Sequence, residues 1–237
     1  MLAIDTCDLR GSVAVLRDGD VLKVLLHESQ EDYSIWLLPA VHACLGACGL
    51  GMKDVEAYAV AAGPGSFTGV RVGLTTVKAW GEVYGKPITA VSRLKALAVQ
   101  AAEGTAYVAG FADARRGQVF GAVYRREGKN LTLLGEEMVI APGKFVETVT
   151  ELSGGQNVSW VSSDSESFIA DEAWKARQSR GERVELVSSA LAPSIGRIGM
   201  AQLAAGRTTD ALSLDANYVR RSDAEIFWKG GAAKHGG

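Results

Sequence analysis

The chain has 237 residues, 47% of them apolar, and a formal net charge of −2. That is enough apolar content for one large core or two modest ones, and so even a charge balance gives no electrostatic argument for direct nucleic-acid binding. The three cysteines, Cys7, Cys44 and Cys48, form no framework of spacings, which excludes a disulfide-stapled scaffold and favours a reduced cytoplasmic protein.

In chain order, residues 2–6, 12–16 and 21–26 alternate as strands, with Asp18-Gly19 between the second and third as a hairpin signal. Residues 34–49 read as a helix with Ser34 as N-cap and Gly49 as C-cap, and Pro39 lies a little late in its first turns. Residues 56–62 read as a buried strand that enters Gly63-Pro64-Gly65-Ser66-Phe67-Thr68-Gly69, followed by a helix over 70–84. Residues 87–102, a strand and then a helix over 94–101, bridge to a second half of the same plan. There, strands are expected at 107–112, 118–125, 131–140 and 158–162, with helices at 142–152 and 168–177. Asp5 ends the first strand of one half, with Arg10-Gly11 leading into its hairpin. Asp113 ends the first strand of the other, with Arg116-Gly117 in the same place. This parallel points to duplication of one unit.

The fold class expected is therefore α/β, with two ribonuclease-H-like domains, each a mixed sheet with a three-strand meander and flanking helices. The boundaries are 1–104 and 105–228. A late helix at 193–206 returns to the first domain, and a flexible Gly- and Ala-rich tail covers 229–237. The opening Met-Leu-Ala-Ile-Asp lacks the basic and apolar regions of a signal peptide, and no stretch approaches the roughly 18 apolar residues of a membrane span.

GPGSFTGVR, from Gly63 to Arg71, is the most unusual stretch. It follows a strand and opens a helix, where free amide donors favour an anion. A P-loop would need lysine after Gly69, and a dinucleotide fingerprint would need its third glycine one residue earlier, so both phosphate-loop readings fail in detail.

With LAIDT at the start, GPGSFTGVRVGL in the loop, LLPAV at 37–41 and NYVRRSDAEIFWK at 217–229, the chain resembles the TsaB (YeaZ) family over essentially its whole length. The resemblance implies the actin-like, Hsp70-like and sugar-kinase-like fold. It also implies a non-catalytic dimerisation subunit that pairs with the catalytic paralogue TsaD and the ATPase TsaE. Together these transfer threonylcarbamoyl to N6 of adenosine 37 in tRNA. No intrinsic cofactor is expected. ATP or ADP, and Mg or Fe/Zn, belong to the partner subunits. A homodimer is expected in isolation, tRNA is met through the complex, and there is no membrane association.

Active members of that superfamily hold ATP phosphates between two glycine-bearing hairpins. Here the first hairpin reads Asp5-Thr6-Cys7-Asp8, without glycine, and the second reads Asp113-Ala114-Arg115-Arg116-Gly117. Asp5, Thr6 and Asp113 are thus degenerate phosphate-hairpin positions, the two acids capping turns rather than placing magnesium. No metal site is expected. His27, His42 and His235 are scattered, no HExxH helix or nucleophile–base pair appears, and Cys44 and Cys48 read as small packed residues. Tyr33 stands where the family often carries histidine.

Gly69, Gly73, Val77 and Gly81 recur at intervals of four, a stripe of little bulk that admits a close backbone. The resemblance places a partner there. The interface candidates are Leu37, Leu38, Val41, Cys44, Gly69, Val72, Gly73, Thr75, Thr76, Val77, Ala79 and Trp80, and Gly73→Leu is expected to weaken pairing while the chain stays folded. Gly63, Pro64, Gly65, Ser66, Phe67, Thr68, Gly69 and Arg71 could also touch a nucleotide held between subunits. The pairs Arg115-Arg116, Arg125-Arg126 and Arg220-Arg221 could meet tRNA phosphates, although isolated pairs are ordinarily solvated. The rivals are a stand-alone kinase of the superfamily, which needs glycine-rich phosphate hairpins, and a peptidase, which needs a metal or nucleophile.

Overall fold

A computed structural model describes residues 1–217 and 219. The expected tail at 229–237, the pair Arg220-Arg221, His235 and nearly all of the 217–229 motif lie outside the described residues. The strands are β1 (Leu2–Asp5), β2 (Ser12–Arg17), β3 (Asp20–Leu26), β4 (Tyr58–Ala61), β5 (Ile88–Val91), β6 (Tyr107–Asp113), β7 (Val119–Glu127), β8 (Asn130–Ile140), β9 (Val158–Ser162) and β10 (Val184–Leu186). The helices are α1 (Tyr33–Gly46), α2 (Phe67–Tyr84), α3 (Arg93–Ala98), α4 (Pro142–Leu152), α5 (Glu166–Ile169), α6 (Glu172–Gln178) and α7 (Ala192–Ala204).

The strands form two five-stranded sheets, in the orders β3-β2-β1-β4-β5 and β10-β9-β6-β7-β8. Renumbered within its own unit, the second order is the first reversed, so the two sheets share one topology. In each, an antiparallel meander is joined to two parallel strands. Asp5 pairs with Ser12 at the end of the first meander, and Asp113 pairs with Val119 at the end of the second. The mixed α/β fold with duplicated ribonuclease-H-like sheets is therefore as the strand order and the resemblance imply.

Strand alternation decides which helices cover which face. Added Cβ atoms on Gly196 and Gly199 of α7 would meet Ala3 and Ala59, whereas one on Gly73 of α2 would meet Val60. Hence α7 covers one face of the first sheet, and α2, with α1 beside it on β2 and β3, covers the other. In the second unit, Gly110 of β6 lies against α3. The opposite face carries the aromatic cluster of Phe111, Phe145, Trp160, Phe168 and Trp174 beneath α4, α5 and α6. Helices α3 and α7 touch each other, so they form the layer between the sheets. One buried cluster runs through it from Leu2 and Ile4 to Val108 and Tyr124. The expected bridge at 87–102 is thus split, its strand closing the first sheet and its helix lying on the second.

Several boundaries differ for local reasons. Helix α1 begins at Tyr33 after Asp32, not at a Ser34 cap, and ends at Gly46 with Ala47 as C-cap. Gly49 (φ 68°) then turns the chain so that Leu50 N–H reaches the Leu45 carbonyl at 3.0 Å. Helix α2 starts at Phe67, three residues earlier than the glycine pattern suggests, because Ser66 serves as N-cap. The expected helix at 168–177 is two helices, since the Asp171 carboxylate accepts from Ala173 N–H at 2.8 Å and caps a fresh start. Strand β10 was not expected at all. Its three residues are too few to show a period.

Candidate functional site

The two hairpin turns face each other across a cleft of about 1590 Å³, into which Asp8, Arg10, Asp113, Arg115 and the loop from Pro64 also project. Asp5 is fully buried, and its Oδ1 accepts from the Cys7 N–H at 2.9 Å. In the second unit, Asp113 Oδ1 accepts from the Arg115 N–H at 2.9 Å. Both acids therefore close the same two-residue Asx turn at the end of equivalent strands.

Their other oxygens are taken as well. Asp5 Oδ2 meets Arg93 Nε at 3.4 Å, Arg93 Nη2 reaches Asp8 Oδ2 at 2.9 Å, and Asp113 Oδ2 meets Arg115 Nη1 at 3.2 Å. Burial opposes the charge on Arg93, but Asp5 and Asp8 outweigh it and raise its pKa. Burial also pushes Asp8 up, yet the guanidinium and the Leu9 N–H together hold it below the usual carboxylate range. The Cys7 thiol is driven well above its ordinary value by burial and by Asp5, which disfavours the thiolate a nucleophile needs.

These residues do not fit a magnesium-bound nucleotide. Hard cations need carboxylate oxygens with free lone-pair directions, and here a turn amide and a buried guanidinium occupy Asp5. The first turn has no glycine among Thr6, Cys7 and Asp8, and the second places Arg115 and Arg116 at φ 61° and 56° where a phosphate would approach. Among the described residues no group of three or more His, Cys, Asp or Glu side chains is placed to hold a metal. Nor is any described helix long and apolar enough to cross a membrane.

The signature loop has a packing explanation. An added Cβ on Gly65 would sit 2.2 Å from the Cys7 carbonyl, and one on Gly69 would sit 2.0 Å from the Thr6 carbonyl. Ser66 N–H donates to the Cys7 carbonyl at 2.7 Å, and Thr6 Oγ1 donates to the Gly69 carbonyl at 2.7 Å. The loop and the first turn of α2 thus lie directly on the β1–β2 hairpin. Gly63 (φ 110°) accepts from Arg93 N–H through its carbonyl, and Asn217 N–H donates to the Ala62 carbonyl, both at 2.7 Å. Pro64 is buried, whereas Ser66, Phe67, Thr68 and Arg71 are exposed, with the Arg71 guanidinium 3.6 Å from the centre of the Phe67 ring. Ser66 Oγ accepts from the Gly69 N–H at 3.4 Å. Because that bond is long, Ser66→Ala is expected to cost about 0.5–1 kcal/mol, read as a lower urea midpoint with an unchanged slope.

Of the two described histidines, His27 is held by the backbone and His42 lies away on α1. Both nitrogens of His27 face backbone carbonyls, of Leu9 at 3.0 Å and Glu31 at 2.8 Å, and its ring packs between Tyr33 and Trp36. Tyr33 donates its hydroxyl to the Asp8 carbonyl and so braces the hairpin. His42 is exposed on α1. Burial raises the Cys44 thiol to about 11, and its Sγ points at the Lys23 carbonyl, 3.7 Å away.

The interface candidates divide sharply. Leu37, Val41 and Cys44 face the first sheet and are buried, as are Gly69, Gly73 and Val77. These six cannot present themselves to another chain. The glycine stripe is reassigned to internal packing: an added Cβ on Gly73 would lie 2.5 Å from Thr6 Oγ1, and one on Gly81 would lie 2.6 Å from Ile88 Cδ1. Leu38, Thr75 and Ala79 are exposed, while Val72, Thr76 and Trp80 are half-buried, Trp80 leaning on the Tyr58 ring at 5.7 Å. Sequence reasoning missed Ile35, which is 58% exposed beside Leu38 at 55%. Its signal was available: α1, YSIWLLPAVHACLG, has no Asp, Glu, Lys or Arg on any face, so its outward side carries apolar groups beside Ser34 and His42.

The chain was compared with known proteins. A family model described as "TsaD: tRNA N6-adenosine threonylcarbamoyltransferase" matches residues 26–213. The chain is 30% identical over 239 residues to the Escherichia coli (strain K12) tRNA threonylcarbamoyladenosine biosynthesis protein TsaB, covering 97% of this chain and 96% of that one. To the Bacillus subtilis (strain 168) protein of the same name it is 37% identical over 151 residues, 64% of this chain and 66% of that one. Among solved structures, YeaZ from Pseudomonas aeruginosa is similar with a TM-score of 0.73 and 27% identity, covering 92% of this chain and 98% of that one.

Proposed function

The chain belongs to the TsaB (YeaZ) family, and from that membership we propose that it is a non-catalytic scaffold in the synthesis of N6-threonylcarbamoyladenosine on tRNA. In this reading it pairs with a TsaD-type catalytic paralogue, activates it together with a TsaE-type ATPase, and forms a homodimer when alone. It meets tRNA through the complex, in the cytoplasm. ATP or ADP and the Mg or Fe/Zn ions of the reaction are held by the partner subunits.

One observation carries this reading. Of the hairpin acids that would serve nucleotide chemistry, Asp5 is committed to the buried Arg93 and Asp113 to its own turn amide, while α1, without Asp, Glu, Lys or Arg, leaves Ile35 and Leu38 in solvent. A fold with occupied acids and an uncovered apolar helix is suited to binding rather than turnover. The pairing surface is α1 with the outward side of α2, through Leu38, Val72, Thr75, Thr76, Ala79 and Trp80, together with Ile35.

The test is to measure threonylcarbamoyladenosine formed on tRNA by the matching catalytic paralogue, ATPase and adenylate-supplying enzyme, with and without this chain. Product only in its presence is the expected result. Equal product without it overturns the scaffold reading and turns attention to ATP-dependent small-molecule chemistry.

A further inference from the structure

We propose that Arg93 is a built-in cation that ties the two halves together at the head of the cleft and withholds Asp5 and Asp8 from divalent metal ions. The inference concerns the cleft alone and stands apart from what the chain pairs with.

Arg93 is the first residue of α3, whose body packs on β6, β7 and β9 of the second sheet. Its side chain leaves that unit and enters the β1–β2 hairpin of the first, where one guanidinium meets Asp5 through Nε and Asp8 through Nη2. Its own N–H donates to the Gly63 carbonyl at 2.7 Å, so backbone and side chain bind the same first-unit corner. The side chain is only 2% exposed and Asp5 is 0% exposed. A buried charge of this kind persists only when it is paired and hydrogen-bonded. The planar fork suits the task, since one group can face two carboxylates at once. Without it, the fully buried Asp5 carboxylate would face the Asp8 carboxylate, itself 42% exposed to the cleft, with no cation between them, and the two would repel each other. A divalent cation is the small species that could then relieve them both.

The test uses the full chain as Arg93→Met and as the doubly neutral Asp5→Asn/Arg93→Met, which removes the charge from both ends of the buried pair. Thermal unfolding is followed in EDTA and in millimolar magnesium or manganese chloride. The wild type is expected to melt at the same temperature in both. Arg93→Met should melt several degrees lower in EDTA and recover part of that loss with the metal. The double variant should melt above Arg93→Met in EDTA and ignore the metal. Three results overturn the proposal: wild-type stabilisation by the metal, a folded Arg93→Met that is indifferent to it, or an Arg93→Met that stays unfolded with metal while the double variant folds.

Discussion

Gly73→Leu is expected to abolish stable folding rather than to weaken pairing. The first added carbon already lies 2.5 Å from Thr6 Oγ1, and the remaining three must find room between α2 and β1. Overpacking of a filled site costs about 1–3 kcal/mol. The displaced Thr6 hydroxyl also gives up its 2.7 Å bond to the Gly69 carbonyl, and a buried donor left unpaired costs a further 1–3 kcal/mol or so. The sum, about 2–6 kcal/mol, is a large part of the roughly 5–15 kcal/mol that holds a typical domain together. Circular dichroism through a urea titration should show a midpoint far below the wild type, or no cooperative transition. A wild-type midpoint with pairing lost would return the glycine stripe to the intersubunit surface.

The same position shows what the sequence can and cannot convey. The four-residue spacing of Gly69, Gly73, Val77 and Gly81 announces a close approach to α2, and at Gly69 that approach is by backbone. The spacing carries no sign of which groups approach. The structure supplies the answer: Gly69 meets the Thr6 carbonyl just after β1, Gly73 meets the Thr6 and Val60 side chains, and Gly81 meets the Ile88 side chain. The hairpin acids were more legible. An Asp that ends a strand just before a turn has a local use for its carboxylate, and Asp5 and Asp113 show that use in the same form.

Arg93 was illegible for the opposite reason. Its partners, Asp5 and Asp8, stand 88 and 85 residues away, and nothing in the local pattern of α3 marks a buried guanidinium. The meander of each sheet was legible because each half repeats it, but β10 is three residues long and its place follows only from the need to complete the second sheet beside β9. The helix between the sheets is similar. A period of 3.6 finds α3, yet only tertiary contact shows that it packs on the unit it precedes in sequence rather than the one it follows.

The proposed pairing surface gives the prediction with the largest effect on function. Ile35→Arg with Leu38→Arg should leave the chain folded and remove its capacity to pair. Both side chains are more than half exposed, so exchanging them in the free chain should change stability by no more than about 0.5 kcal/mol. At a covered apolar interface, the same change buries two charges without partners, which costs far more than the lost contact. Affinity for the catalytic paralogue should fall by more than about 100-fold, or roughly 2.7 kcal/mol. The homodimer should dissociate by size-exclusion chromatography with light scattering, and modified tRNA should fall to the level seen without the chain. Leu133→Arg with Leu186→Arg, at the two edges of the second sheet, alters apolar groups that are 39% and 67% exposed and should leave pairing and product intact. If both double variants lose pairing alike, the effect is one of added charge and α1 is not the surface. If the α1 variant pairs with wild-type affinity, the exposed apolar groups of α1 need another explanation, and the search would move to the exposed Phe67, Thr68 and Arg71 at the start of α2.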